Sequence, residues 1–177
     1  VRESLEMYGL KTSPAFEAAV GIGIRIAGVD PGAAGAVDRY ALHVGTGFQV
    51  LNDLKDWAGD VENGRRAAGD LLGGRPTLLW ALALERLSDA DVARLRVLSA
   101  DAGSPAADET TVSRCLVEAK RLYDEADVFS RAAAIAADQR ARAAAALSSC
   151  RLRRLREVLE FLLDLAVPTQ AIASGAT

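Results

Sequence analysis

One histidine and two cysteines are the whole stock of imidazole and thiolate metal ligands in this 177-residue chain. Cys115 and Cys150 lie far apart without metal-ligand spacing, and His43 alone cannot complete a Cys/His zinc site. So few cysteines fit a reduced, cytoplasmic setting. Aromatic residues make up only 5% of the chain, and β-branched residues never form a long run. Neither strand-like alternation nor a fixed-period repeat is present, so β-rich and repeat architectures are not expected. No apolar run approaches the roughly 20 residues that span a bilayer. The longest, "TLLWALAL", reads as a buried helix segment. Strong charge of one sign is missing too: the net charge is −3, which gives no electrostatic surface for nucleic acid. Neither a signal peptide nor an initiator methionine is visible. Val1 opens directly into charged helical sequence, so the chain is expected to be a piece of a longer protein.

Half of the residues are hydrophobic, with alanine and leucine dominant, which is a helical composition able to bury a core. A single all-α domain over residues 1–177 is expected, with 168–177 as a flexible tail. Ser13 and Pro14 read as cap and first turn of a helix that ends at Gly28, before the turn signal Asp30-Pro31-Gly32. A helix of about 25 residues, near 37 Å long, is predicted from about Ala33 to Trp57. The glycine-rich, charged stretch that follows reads as a functional loop or a linker. Apolar helix resumes over Thr77 to Leu87, and Ser88 caps a short helix. "SADAGSPAAD" reads as a flexible loop. Two or three further helices follow, with a break near "LSSCR".

The long second helix carries an unusual set of oxygens in "GTGFQVLNDLKDW". With Asn52 at zero and about 100° per residue, Asp56 falls near 40°, Gln49 near 60° and Asp53 near 100°, with Gly45 near 20°. Val50, Leu51, Leu54 and Trp57 occupy the opposite side, so one face packs and the other presents oxygens. Two ionised carboxylates three residues apart repel by a few tenths of a kcal/mol. A divalent cation reverses that sign, and hard oxygens suit Mg²⁺, which keeps waters and bridges to phosphates. Spacing alone leaves two readings open, a solvated polar face beside Lys55 or a metal face.

The flanking sequence bears on that choice. "FQVLNDLKD" resembles the second aspartate-rich motif, FQxxDDxxD, of the trans-isoprenyl diphosphate synthases, the polyprenyl synthetase family. "LKTSPAFEAAVGIG" resembles the family's lysine-threonine helix. "GRRAAGDLLGGRPTLLWALAL" resembles its G-K-x-x-G-x-D-x-x-x-G-K-x-T-L-P stretch. The alanine-rich "YDEADVFSRAAAIAADQRARAAAAL" resembles its late helices. The four fall in the family's order over nearly the whole chain.

The resemblance implies an isoprenoid-synthase-like helical bundle around a central cavity, with N-terminal helices absent from this chain. It implies a Mg²⁺-dependent prenyltransferase that condenses an allylic diphosphate with isopentenyl diphosphate into a linear polyprenyl diphosphate, working as a homodimer or heterodimer. Carried over by position, Lys11 is catalytic and binds diphosphate beside Thr12, Gln49 contacts substrate or the metal shell, and Arg65 and Arg75 neutralise pyrophosphate where the family has lysines. Asn52, Asp53 and Asp56 hold the metal, the two aspartates also counting as catalytic. Asn52 departs from the motif, which has aspartate there. The family's first aspartate-rich motif belongs upstream of Val1. A terpene synthase on the same fold and a non-catalytic helical subunit of a heteromeric synthase are the alternatives.

Other residues read as follows. His43 lies towards the core side and reads as structural. Asp70 either positions the arginine loop or caps a turn. Gly21 and Gly23 read as points of close helix contact or as widening an elongation tunnel. Arg151, Arg153, Arg154 and Arg156 form either a solvated helix face or a phosphate patch.

Overall fold

The computed structural model describes residues 1–28, 34–59, 67–150 and 152–175. Among these residues there are nine helices and no strand: α1 (Arg2–Ile26), α2 (Ala34–Ala58), α3 (Gly69–Leu72), α4 (Leu78–Leu84), α5 (Asp89–Ala102), α6 (Glu109–Glu125), α7 (Val128–Leu147), α8 (Arg153–Ala166) and α9 (Thr169–Gly175). The all-α expectation holds. None of these helices is long and apolar enough to cross a membrane. The chain divides into two compact units. One comprises Val1, Asn52–Ala132 and Gly175–Thr177, the other Arg2–Leu51 and Ala133–Ser174.

In the unit containing α1, that helix starts eleven residues before the expected cap and runs through Pro14. Proline inside a helix removes one donor and crowds the preceding turn. Tertiary packing outweighs that local penalty, because Tyr8, Gly9 and Ser13 are buried. Ser13 is therefore not a cap: its Oγ donates to the Leu42 carbonyl on α2 at 3.0 Å. The predicted bounds of α2 differ from the observed ones by one residue at each end. At its far end Gly59 takes φ +76°, the left-handed conformation that stops a helix cleanly. Tyr40 of α2 is 1% exposed, and its hydroxyl donates to the Leu159 carbonyl of α8 at 2.7 Å. Arg140 of α7 donates to the carbonyls of Leu163 (3.2 Å) and Val167 (2.7 Å) and pairs with Asp164. These bonds satisfy the end of α8. The tail read as flexible carries α9, whose first turn bonds back to the Pro168 carbonyl.

Burial, reinforced by the negative charge of Asp164, pushes the Tyr40 phenol up to about 12. An unfolded tyrosine ionises near 10, so this contribution to stability is complete below about pH 10 and is lost as pH rises through the folded value. Tyr40→Phe is expected to cost about 1 to 1.5 kcal/mol at neutral pH, because the Leu159 carbonyl loses its donor. It should also flatten the alkaline fall in stability. Urea unfolding of both proteins at neutral and alkaline pH measures the two effects. Equal midpoints at pH 7 would rule out a contribution from this bond.

In the other unit, Leu95, Leu98, Cys115, Ala119 and Leu122 pack α5 against α6. Ser88 caps α5 through the Asp91 amide at 3.2 Å, as expected, but the helix runs to Ala102 because its apolar positions stay buried. This takes in the first part of the stretch read as a loop. Ser99 Oγ donates to the Leu71 carbonyl at 2.7 Å and so ties α3 to α5. Trp57, Tyr123 and Phe129 form an aromatic cluster with centroids 4.8 to 5.9 Å apart.

Candidate functional site

The lysine-threonine motif and the Gln49 end of the FQ motif meet in the unit that comprises Arg2–Leu51 and Ala133–Ser174. Thr12 Oγ1 donates to Gln49 Oε1 at 3.3 Å. Lys11 beside it is exposed, so its ammonium faces solvent. The approach is close because Gly45 offers no side chain: a Cβ there would lie 2.7 Å from both Cα and Oγ of Ser13. Gly21 and Gly23, read as points of close contact, are not such points: a Cβ on either would meet nothing within 4 Å. His43, half-buried, has Nδ1 2.8 Å from Gln139 Oε1. A groove of about 670 Å³ in this unit is bounded by Leu5, Leu10, Pro14, Leu42, His43 and Gln139. None of Lys11, Thr12 or Gln49 lines it.

The acidic motif lies in the other unit, on the last two turns of α2. Its residues do not present a uniform row of oxygens. Asn52 and Asp56 are half-buried, whereas Asp53 is 2% exposed. The helical wheel placed Asp53 at the margin of the polar stripe, and there the packing of α4 covers it. Its Oδ2 accepts the backbone N–H of Leu78, the first residue of α4, at 3.2 Å. Asp56 Oδ2 accepts the N–H of Asp70 at 2.8 Å. The carboxylate of Asp70 in turn accepts from Arg75 Nη1 at 2.7 Å. Asp70 thus does position an arginine, and Arg75 keeps most of its surface in solvent. The negative charge of Asp53, after burial itself, also holds the Tyr123 phenol above its ordinary range.

Thr77 caps α4 by accepting from the Trp80 amide at 3.4 Å. Arg65 lies outside the described residues, as do Arg151 and the turn at Asp30. Of the arginine cluster, Arg153 and Arg156 form i,i+4 pairs with Glu157 (3.5 Å) and Glu160 (3.8 Å), which makes a solvated helix face. Motif spacing could not reveal the backbone partners of Asp53 and Asp56, because these come from a segment some 14 to 25 residues further on.

As for metal chemistry, no group of three or more His, Cys, Asp or Glu side chains able to hold an ion is assembled among the described residues. Mg²⁺ needs no such cage, since it binds through one or two carboxylates together with phosphates and waters. Asn52 and Asp56, both oxygen donors of partial exposure, fit that mode of binding.

Comparison with known proteins bears on the whole arrangement. The sequence model of the polyprenyl synthetase family matches residues 1–117. A short chain isoprenyl diphosphate synthase of Methanothermobacter thermautotrophicus is 34% identical over 94 residues, which is 52% of this chain and 29% of that protein. The solved geranylgeranyl pyrophosphate synthetase of Pyrococcus horikoshii Ot3 is similar with a TM-score of 0.78 and 27% identity, over 94% of this chain and 48% of that one. A polyprenyl synthase of Caulobacter crescentus CB15, complexed with calcium and isoprenyl diphosphate, gives a TM-score of 0.73 and 30% identity over 93% of this chain and 48% of its own. This chain therefore spans about half the length of those solved relatives and matches under a third of the curated one. The stretches that resemble the family's lysine-threonine helix, its second acidic motif and its lysine-bearing loop, here with arginines, all fall inside the matched residues, and the chain belongs to the polyprenyl synthetase family.

Proposed function

We propose that this chain supplies the diphosphate-binding part of a trans-prenyltransferase that joins an allylic diphosphate to isopentenyl diphosphate and releases a linear polyprenyl diphosphate. The observation that carries this reading is the Thr12–Gln49 bond, which brings two separately recognised family motifs into one contact. In the reaction the allylic C–O bond breaks and pyrophosphate leaves with the electron pair. The double bond of isopentenyl diphosphate supplies the pair for the new C–C bond, and the proton lost from that substrate goes to pyrophosphate. Lys11 contributes a fixed cation to a diphosphate, while Thr12 and Gln49 orient it. Arg75, steadied by Asp70, offers planar donors to the leaving group, and Arg65 would do the same. Asn52 and Asp56 would hold Mg²⁺, which when bound neutralises the charge that develops on pyrophosphate.

A second reading, a helical subunit that binds diphosphate without turning it over, is favoured by Asn52, which gives up one charge of the motif. Both readings are tested by incubating the chain with labelled isopentenyl diphosphate, a short allylic diphosphate and Mg²⁺, then extracting the product. Mg²⁺-dependent incorporation into a linear diphosphate is the expected result. A cyclised hydrocarbon would instead indicate a terpene synthase. Calorimetric binding of Mg²⁺–pyrophosphate without incorporation would support the subunit reading. Absence of both binding and incorporation would rule out the two readings together.

A further inference from the structure

Leu78 opens α4 and is fully buried. The first N–H groups of a helix have no acceptor within it, and a buried one cannot turn to water. Asp53 reaches across from α2 to accept that N–H at 3.2 Å while itself almost wholly buried. One turn further along α2, Asp56 accepts the N–H of Asp70 at 2.8 Å, and the Ala68 N–H is bound by the Asp56 carbonyl at 2.8 Å. The two carboxylates therefore grip the two ends of residues 70–78. Between those grips lie Gly73 and Gly74, the latter at φ +62°, and the exposed Arg75, whose guanidinium is held by Asp70. A segment this rich in glycine has many conformations to lose. Fixing its two ends removes much of that freedom before any ligand arrives.

We propose that Asp53 is a positioning residue and not a metal ligand: with Asp56 it clamps residues 70–78, and this clamp sets where Arg75 presents its charge. Asp53 acts through a hydrogen-bond acceptor, so the function of the side chain depends on its oxygen more than on its charge. Buried at 2% exposure, it is poorly placed to give an ion the several waters that Mg²⁺ retains. The inference rests on the reading above, in which Arg75 contacts a diphosphate.

The test compares the unaltered chain with Asp53→Asn and Asp53→Ala, each checked first for helical circular dichroism. Hydrogen exchange at the Leu78 amide, measured by NMR without ligand, reports the clamp. Calorimetry with inorganic pyrophosphate, with and without Mg²⁺, reports the site. Asp53→Ala is expected to speed exchange at Leu78 by about tenfold, the worth of one hydrogen bond, and to weaken pyrophosphate binding both with and without the ion. Asparagine presents an oxygen to a helical N–H about as well as aspartate does, so Asp53→Asn should stay within about twofold of the unaltered chain in both measurements. Two results would overturn the proposal. One is unchanged Leu78 exchange in Asp53→Ala. The other is a loss of affinity in Asp53→Asn that appears only when Mg²⁺ is present, which would make Asp53 a ligand. If the unaltered chain binds no pyrophosphate, the functional reading fails, and exchange at Leu78 still decides whether Asp53 holds the segment.

Discussion

Gly45→Ala is expected to destabilise the protein by about 2 kcal/mol, although the same change at an ordinary helix position stabilises. Alanine gains about 1 kcal/mol over glycine in helix propensity. Against that, the new Cβ would stand 2.7 Å from Cα and Oγ of Ser13 and 2.9 Å from its backbone nitrogen. Backbone atoms cannot rotate aside as a long side chain can, so α1 must draw back from α2. Overpacking of this kind costs up to about 3 kcal/mol, and the clash outweighs the propensity gain. Retreat of α1 also stretches the Thr12–Gln49 bond, already 3.3 Å long, so diphosphate affinity should fall with stability. Gly21→Ala is the matched control. It lies in α1 with nothing within 4 Å of a Cβ, so it should raise stability by about 0.5 to 1 kcal/mol. Urea midpoints of the two variants should therefore move in opposite directions. A Gly45→Ala midpoint at or above that of the unaltered chain would mean that α1 does not need the close approach.

That pair of glycines also shows where sequence reading reaches its limit. Gly21 reads as a contact point in an apolar stretch, whereas Gly45 falls on the arc of the oxygen-bearing residues. Only the partner helix distinguishes them, because Ser13 lies within 3 Å of a Cβ on Gly45 and no described residue outside α1 lies within 4 Å of one on Gly21. What could be read locally was read well. The bounds of α2 follow from a turn signal ahead of it and a glycine behind it, both properties of the immediate sequence. The Ser88 cap is equally local, and its bond to the Asp91 amide is present. Pro14 and Ser13 misled because their strongest local role, opening a helix, lost to burial of Tyr8, Gly9 and Ser13. Asp53 misled for a similar reason. An ideal wheel places it near the polar stripe, but burial depends on α4, whose first residue borrows the Asp53 carboxylate as an acceptor. The motif thus identified the family. It could not show that Asp53 is buried while Asn52 and Asp56 stay half-buried.

Asn52→Asp tests that division from the side of the metal. Asn52 is half-buried on α2, one turn before Asp56, and is the position where the family motif carries an acid. Without a divalent ion, a new carboxylate there adds repulsion with Asp56 at i+4 and with neighbouring Asp53. This lowers stability by a few tenths of a kcal/mol. With Mg²⁺ the sign reverses. Two unit charges about 4 Å apart in a water-like environment attract by roughly 1 kcal/mol, so a divalent ion gains about 2 kcal/mol, or roughly thirtyfold in affinity. The attraction exceeds the repulsion by severalfold, and binding of Mg²⁺–pyrophosphate should tighten accordingly. Ionic strength must be held constant, since a partly exposed charge is screened over about 10 Å at 0.1 M salt. Calorimetry at fixed salt measures the affinity, and thermal unfolding in EDTA and in Mg²⁺ measures the reversal of sign. A variant that loses stability equally in both conditions, with unchanged affinity, would place Asn52 away from any ion. If affinity rises as expected and label incorporation rises with it, the missing charge at Asn52 is what limits this chain as a catalyst. If affinity rises alone, the limit lies elsewhere in the reaction, and the subunit reading gains.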